Sequence, residues 1–224
     1  KISFHLHHLC HLASSYYVSG FDEALLVSHD AMGEIDCSLI GAGKNNEISI
    51  LKKGNHYPDS IGLLYSAITY YLGWKHHSDE GIVMGLAPYG DSKTIIGSSN
   101  KSYADFFKEI IYETDDYHFE IDKSWIEYHL VRDKWISEKF IQTFGAKREP
   151  EGTVEPHHKH VAAALQDRIE EIILNQLKKA REEFGFKKLC LAGGVFLNCS
   201  LNGKIIESKM FDEIFVQPAS SDDG

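Results

Sequence analysis

The sequence predicts an α/β protein built on a mixed sheet, and three observations carry that reading. Residues 21–55 hold three short apolar runs separated by Gly, Lys and Asn turns, the pattern of an antiparallel meander. Residues 154–186 show the long amphipathic period of a helix with one buried stripe. Beyond it, "KKLCLAGGVFLN" and "EIFVQPASSDDG" read as strands that each follow a helix, the connection that parallel strands require.

The elements follow in order. In "HHLCHLASSYYVS", Leu9, Leu12, Ala13 and Tyr16 recur at helical spacing and Gly20 supplies a stop. "EALLVSHDAMGE" is a buried strand that breaks into a turn at Asp30–Gly33, and "IDCSLIGAGKN" and "NEISILKKGN" are the next two strands. "PDSIGLLYSAITYYLGW" is a helix with Asp59 or Ser60 as N-cap and Gly73 as stop. "EGIVMGLAPYGD" is rich in Gly and Pro and reads as a loop between helical turns. Residues 102–150 are aromatic and charged with weak periodicity, an inserted subregion of modest helix content. In the long helix, Val161, Leu165, Ile169, Ile172 and Leu177 mark the buried stripe and Gly185 ends it; "SLNGKIIES" is a short helix before the last strand. The order βββαβαβ, preceded by a helix, is that of a ribonuclease-H-like sheet, one lobe of a two-lobed sugar-kinase or actin-type protein.

Composition narrows the class. With 224 residues, 43% hydrophobic and 25% charged, the chain can bury a sizeable core in the ordinary globular way. No apolar run approaches the roughly 18–20 residues of a membrane span. A net charge of −10 argues against a general electrostatic grip on nucleic acid. Cys10, Cys37, Cys190 and Cys199 show no CxxC pairing, which fits a reducing cytoplasm. The chain begins without Met and stops directly after a strand-like run, so it is expected to be part of a longer protein.

Four pieces could carry chemistry. His7 and His11, at i and i+4, share a helix face and can share an ion, although histidines are also common on helix surfaces; His8 and His5 point elsewhere. Asp30 sits where a buried strand enters a tight turn, a place where a carboxylate reaches out of a sheet edge or simply stabilises the turn. In the same turn, Gly33 would let backbone N–H groups approach a phosphate. In "LAGGVFLN", Gly193 and Gly194 would admit a nucleotide against backbone amides and Asn198 would add a polar handle, or the pair could serve a tight strand–helix turn. Asp222 and Asp223 follow the final strand, where the predicted sheet brings them near Asp30. Two His with two Asp suit a divalent transition ion.

With these pieces in view, the chain resembles the O-carbamoyltransferases of the NodU/CmcH/TobZ type. "HHLCHLASSYY", "FDEALLVSHDAMGE", "EGIVMGLAPYGD", "LAGGVFLNCSLNGKI" and "FVQPASSDDG" look like successive signature blocks of that family, in order over nearly the whole chain. The resemblance implies a partial Kae1-like lobe of the actin/Hsp70/sugar-kinase fold. It divides into a metal-binding helix (1–20), a region of meander, helix and GLAPYG loop (21–101), the inserted subregion (102–150), and a last part with the long helix, nucleotide turn and acidic turn (151–224). It implies transfer of a carbamoyl group from carbamoyl phosphate, by way of a carbamoyl-adenylate made with ATP, to a hydroxyl of a small sugar-like or natural-product acceptor. It further implies a divalent metal, iron by expectation, held by His7, His11, Asp30 and Asp223, with Asp223 preferred to Asp222, and a nucleotide met by Gly193, Gly194 and Asn198. An N-terminal lobe segment with a catalytic histidine and a downstream YrdC-like domain are expected elsewhere in the same chain, so the fragment alone is expected to be inactive; no nucleic-acid or membrane partner is implied, and a homodimer is compatible. Ile82 stands where the family's block usually has Lys. Two rivals are a tRNA threonylcarbamoyl transferase, disfavoured by the net charge and by the "GLAPYGD" block, and a nucleotide-binding module without catalysis.

Overall fold

The computed structural model describes residues 2–114 and 117–223. Along the chain run α1 (His7–Ser19), β1 (Glu23–His29), β2 (Ser38–Lys44), β3 (Glu47–Lys53), α2 (Ile61–Tyr71), α3 (Glu80–Leu86), α4 (Tyr103–Ile110), β4 (Ile111–Glu113), β5 (Phe119–Ile121), α5 (Glu138–Phe144), α6 (Pro156–Phe184), β6 (Lys188–Ala192), α7 (Cys199–Glu207) and β7 (Glu213–Val216). They form two compact units. One takes the described residues within 1–62, 115–118 and 173–224, the other those within 63–114 and 119–172.

The first unit is organised on a five-stranded sheet of order β3-β2-β1-β6-β7. β1, β2 and β3 pair antiparallel, and β6 and β7 continue the sheet parallel to β1. The meander turns at Asn45 and Asn46, both in the left-handed region (φ 52 and 62). A two-residue turn of that hand matches the twist of the strands it joins, and Asn tolerates it better than most side chains. β1 is central, and only its first residue, Glu23, is exposed. A strand with neighbours on both edges and apolar residues on both faces has no solvent side, so its end carries His29 and then Asp30 in register with the sheet edge.

α1 packs closely on this sheet where β2 carries glycine. A Cβ on Gly41 would lie 2.8 Å from Leu12 Cδ1, and one on Gly43 would lie 2.5 Å from Tyr16 Cε2. The two glycines of β2 leave a groove that the helix side chains fill, and Leu12, Tyr16, Ala24, Leu26, Leu39 and Cys190 close around it as one buried core. Gly20 ends the helix in the left-handed region (φ 74), where the missing Cβ removes the usual steric cost.

The second unit has its own aromatic core, with Tyr71, Phe107, Trp125, Phe140 and Phe144 buried. α4 opens on a capping box, Ser102 Oγ accepting from Asp105 N–H and Asp105 accepting from Ser102 N–H. Two expectations change here. "EGIVMGLAPYGD" is helical over Glu80–Leu86 and continues as a 3₁₀ turn over Ala87–Tyr89, not a loop. Gly81 and Gly85 obscured the helical period, but Glu80 is anchored where the helix starts, accepting from Ser66 Oγ at 2.7 Å. The subregion 102–150 also contains a β4–β5 hairpin, whose three-residue strands are too short to show an alternating pattern. The buried stripe of α6 is as expected, with Val161, Leu165, Ile169 and Ile172 fully buried and Leu177 nearly so.

Gly43→Ala is expected to lower the unfolding free energy by about 1–3 kcal/mol, because a methyl group forced against the Tyr16 ring overpacks a filled core. Urea titration of variant and wild type checks this, and an unchanged midpoint would mean that α1 does not sit this close to β2.

Candidate metal centre

Three imidazole and carboxylate atoms meet at the edge of the sheet. His7 and His11 lie one turn apart on α1, so both rings project from one helix face. Their Nε2 atoms are 3.0 Å apart, and each lies 3.0 Å from Asp30 Oδ2. Each Nε2 carries at most one proton, so at most two of the three edges can be hydrogen bonds, and when both rings carry their proton on Nδ1 none of them is. The distances do suit one ion. Donors bonded to a common centre at about 2.1 Å and at right angles to one another sit about 3.0 Å apart. A fourth donor, Asp222 Oδ1, lies 3.4 Å from His7 Nε2 and 3.5 Å from His11 Nε2. Among the described residues, the four atoms all lie within 4.8 Å of one another and form the one group of this type. Two nitrogens and two oxygens are the donor mixture of a borderline divalent ion such as iron, manganese or zinc.

The carboxylates differ in setting. The Asp30 side chain is 11% exposed and that of Asp222 is 71% exposed, so the group opens to solvent on the Asp222 side. Burial would raise the Asp30 carboxyl, but hydrogen bonds with His11 and His7 and from the Ala31 backbone outweigh it and hold the group well below the usual carboxylate range. Asp30 is thus an anion at the pH at which a metal would compete for it.

The neighbouring histidines have other work. His8 is buried, its Nδ1 2.8 Å from Ser28 Oγ and its Nε2 2.9 Å from the Asp36 carbonyl, so it ties α1 to β1 and to the loop after it. His5 is exposed and outside the group. His29 is buried at the end of β1, where burial and, secondarily, repulsion from His8 bring its pKa down to about 4.

Of the four expected metal ligands, the fold brings together His7, His11 and Asp30. It places Asp222 beside them in the position expected for Asp223, which is exposed and outside the group. The physical reason is the turn itself. The Ser220 carbonyl accepts from Gly193 N–H at 2.7 Å, which pins the bend, and successive side chains of a bend diverge, so only one of the two aspartates can face the imidazoles.

The expected nucleotide residues turn out to be engaged within the protein. Gly33 donates its N–H to the Asp36 carbonyl at 2.8 Å, and a Cβ there would lie 2.8 Å from His7 Cβ. Gly193 has φ 95, and a Cβ there would lie 2.2 Å from the His29 carbonyl oxygen. Gly194 donates its N–H to Asp30 Oδ1 at 3.1 Å. Asn198 Oδ1 accepts from Leu201 N–H and caps α7. Three of these residues therefore shape the surroundings of Asp30 and His7. Sequence reasoning passed over Ser28, Gln217 and Ser220, which carry no signal of their own in the chain and acquire meaning only through their partners in space.

The arrangement defines a class: an α/β unit that presents two imidazoles and two carboxylates at the edge of a mixed sheet. The particular family follows from comparison. Residues 1–224 match the family described as "Carbamoyltransferase N-terminus", and the chain belongs to it. It is 36% identical over 223 residues to the uncharacterized protein sll1178 of Synechocystis sp., covering 99% of this chain and 34% of that protein. It is 36% identical over 226 residues to the nodulation protein NolNO of Sinorhizobium fredii, covering 100% of this chain and 30% of that one. The chain thus spans about a third of the length of these relatives. Among solved structures, full-length HypF in its phosphate- and nucleotide-bound form is a distant likeness, with a TM-score of 0.44 at 15% identity over 95% of this chain and 39% of that one. Among the described residues, no helix is long and apolar enough to cross a membrane.

Acid should destabilise the first unit through His29. Its pKa is about 6.5 when unfolded and about 4 when folded, so between these values the unfolded chain binds more protons and stability falls as pH falls. The loss from this residue is expected to reach about 3 kcal/mol by pH 4 and to be absent above pH 7. Urea unfolding of wild type and His29→Gln across pH 4.5–7.5 checks it, since the variant should show the shallower dependence.

Proposed function

We propose that this chain is the metal-bearing, ribonuclease-H-like lobe of an O-carbamoyltransferase. The longer protein would move a carbamoyl group from carbamoyl phosphate, through a carbamoyl-adenylate formed with ATP, to a hydroxyl of a small sugar-like acceptor. Family membership supports the transferase class, and the sheet order, an antiparallel meander continued by two parallel strands, is the one expected of this fold. The observation that carries the metal part is the triangle of His7 Nε2, His11 Nε2 and Asp30 Oδ2 with 3.0 Å edges.

In this reading His7, His11, Asp30 and Asp222 hold a divalent ion. When bound, the ion supplies positive charge and Lewis acidity toward a phosphate-bearing carbamoyl donor. The chain's own part is orientation. α1 holds both imidazoles on one face and β1 delivers a buried anion. The exposed Asp222 side leaves a direction from which a donor can enter. The nucleotide part rests on the family resemblance, because the N–H groups of Gly33, Gly193 and Gly194 are already engaged by protein acceptors.

Removing either imidazole should destroy the site without unfolding the lobe. In the full-length protein, His7→Ala and His11→Ala are expected to lower affinity for Mn²⁺ or Fe²⁺ more than about 100-fold, a larger loss than outer-shell changes produce. Carbamoyl transfer from carbamoyl phosphate with ATP should fall in parallel. Calorimetric titration and a radiolabelled-carbamoyl assay measure the two, and wild-type metal affinity in both variants would end the metal reading.

A further inference from the structure

Two residues outside the donor group are hydrogen-bonded to the segments that carry its carboxylates. Gly194 N–H donates to Asp30 Oδ1 at 3.1 Å, which leaves Oδ2 turned toward both imidazoles. A Cβ on Gly194 would lie 2.9 Å from that same Oδ1, so a side chain here would press on the oxygen that the amide now holds. Gly194 is not in the left-handed region, so the demand for glycine at this position is one of space beside the carboxylate rather than of backbone conformation.

Gln217 is bonded to the acidic bend in a similar way. It follows β7 directly and is bonded at four points. Its N–H donates to the Leu191 carbonyl at 3.0 Å, which continues the β6–β7 pairing. Its side-chain Nε2 donates to the Ser14 carbonyl on α1 at 2.6 Å. Its Oε1 accepts from Ala219 N–H at 3.3 Å, and its own carbonyl accepts from Ser220 Oγ at 2.6 Å. Ser220 is fully buried, and its carbonyl receives Gly193 N–H. The bend that carries Asp222 is therefore tied to the helix that bears the imidazoles and to the turn that holds Asp30. An exposed aspartate on an untied bend would have to be ordered by the ion itself, at a cost in affinity.

We propose that Gly194 and Gln217 are positioning residues of the metal centre, Gly194 setting the rotation of the Asp30 carboxylate and Gln217 setting the distance of Asp222 from α1. The inference rests on the metal reading above and extends it to residues that touch no ion. Loss of a hydrogen bond that orients a ligand typically weakens metal binding about 10–100-fold.

The test uses the full-length protein with Gly194→Ala, Gln217→Glu and, as a control, Gly203→Ala on α7, where a Cβ would meet nothing within 4 Å. Gln217→Glu keeps the shape and removes the donor to Ser14. Co²⁺ is the probe, since calorimetry gives its affinity and its visible absorption reports the ligand geometry; urea unfolding of the metal-free proteins reports the fold. Gly194→Ala and Gln217→Glu should each bind Co²⁺ about 10–100-fold more weakly, with an altered absorption band. Gly203→Ala should match wild type. Wild-type affinity and spectrum in both variants would overturn the inference while leaving the metal reading intact; no Co²⁺ uptake by wild type would overturn both. Each variant decides the role of its own residue; should Gly194→Ala fail to fold, the proposal reduces to Gln217, which Gln217→Glu decides.

Discussion

The structure around the sheet edge depends on one constraint, a buried carboxylate that must face two imidazoles. Asp30 cannot be taken out of water as an anion unless its lone pairs are met, and here they are met from two sides, by the imidazoles at Oδ2 and by an amide at Oδ1. Everything near it follows. β1 must be central to deliver the residue, α1 must lie close enough for both rings to reach it, and the turn after β6 must pass directly beside it.

Glycine is the means by which the fold meets these demands. Gly41 and Gly43 let α1 settle onto β2, Gly33 makes room for His7, and Gly193 and Gly194 let one chain segment run against the end of another. A glycine-rich turn after a buried strand is often understood as a seat for phosphate. Here the same residues bring protein against protein, and the anion they accommodate is a side chain of the chain itself. The two uses share a cause, since both need a backbone that another group can approach without meeting a Cβ.

The subregion 102–150 shows a different balance. Its sequence has weak periodicity because its elements are short and its core is made of rings rather than aliphatic stripes. Trp125, Phe140 and Phe144 pack edge to face or tilted, with ring centroids 4.5–6.4 Å apart. Large rings bury much area from few positions, so a core can form without the regular spacing that marks α6.

The chain by itself determined the elements that long-range apolar patterning controls: α1 with its Gly20 stop, the three-strand meander, α6 with its buried stripe, and the parallel strands at the end. It also pointed to His7, His11 and Asp30, because helical spacing and a strand end are local facts. It left α3 hidden, since two glycines erased the period, and it favoured Asp223 over Asp222. Only the tertiary structure turns Asp222 toward the imidazoles, because the direction of a side chain in a bend is set by what the bend is tied to, here Gln217 and Ser220 reaching across to α1 and to the turn after β6. Those ties join residues up to 203 positions apart in sequence, and no local pattern records them.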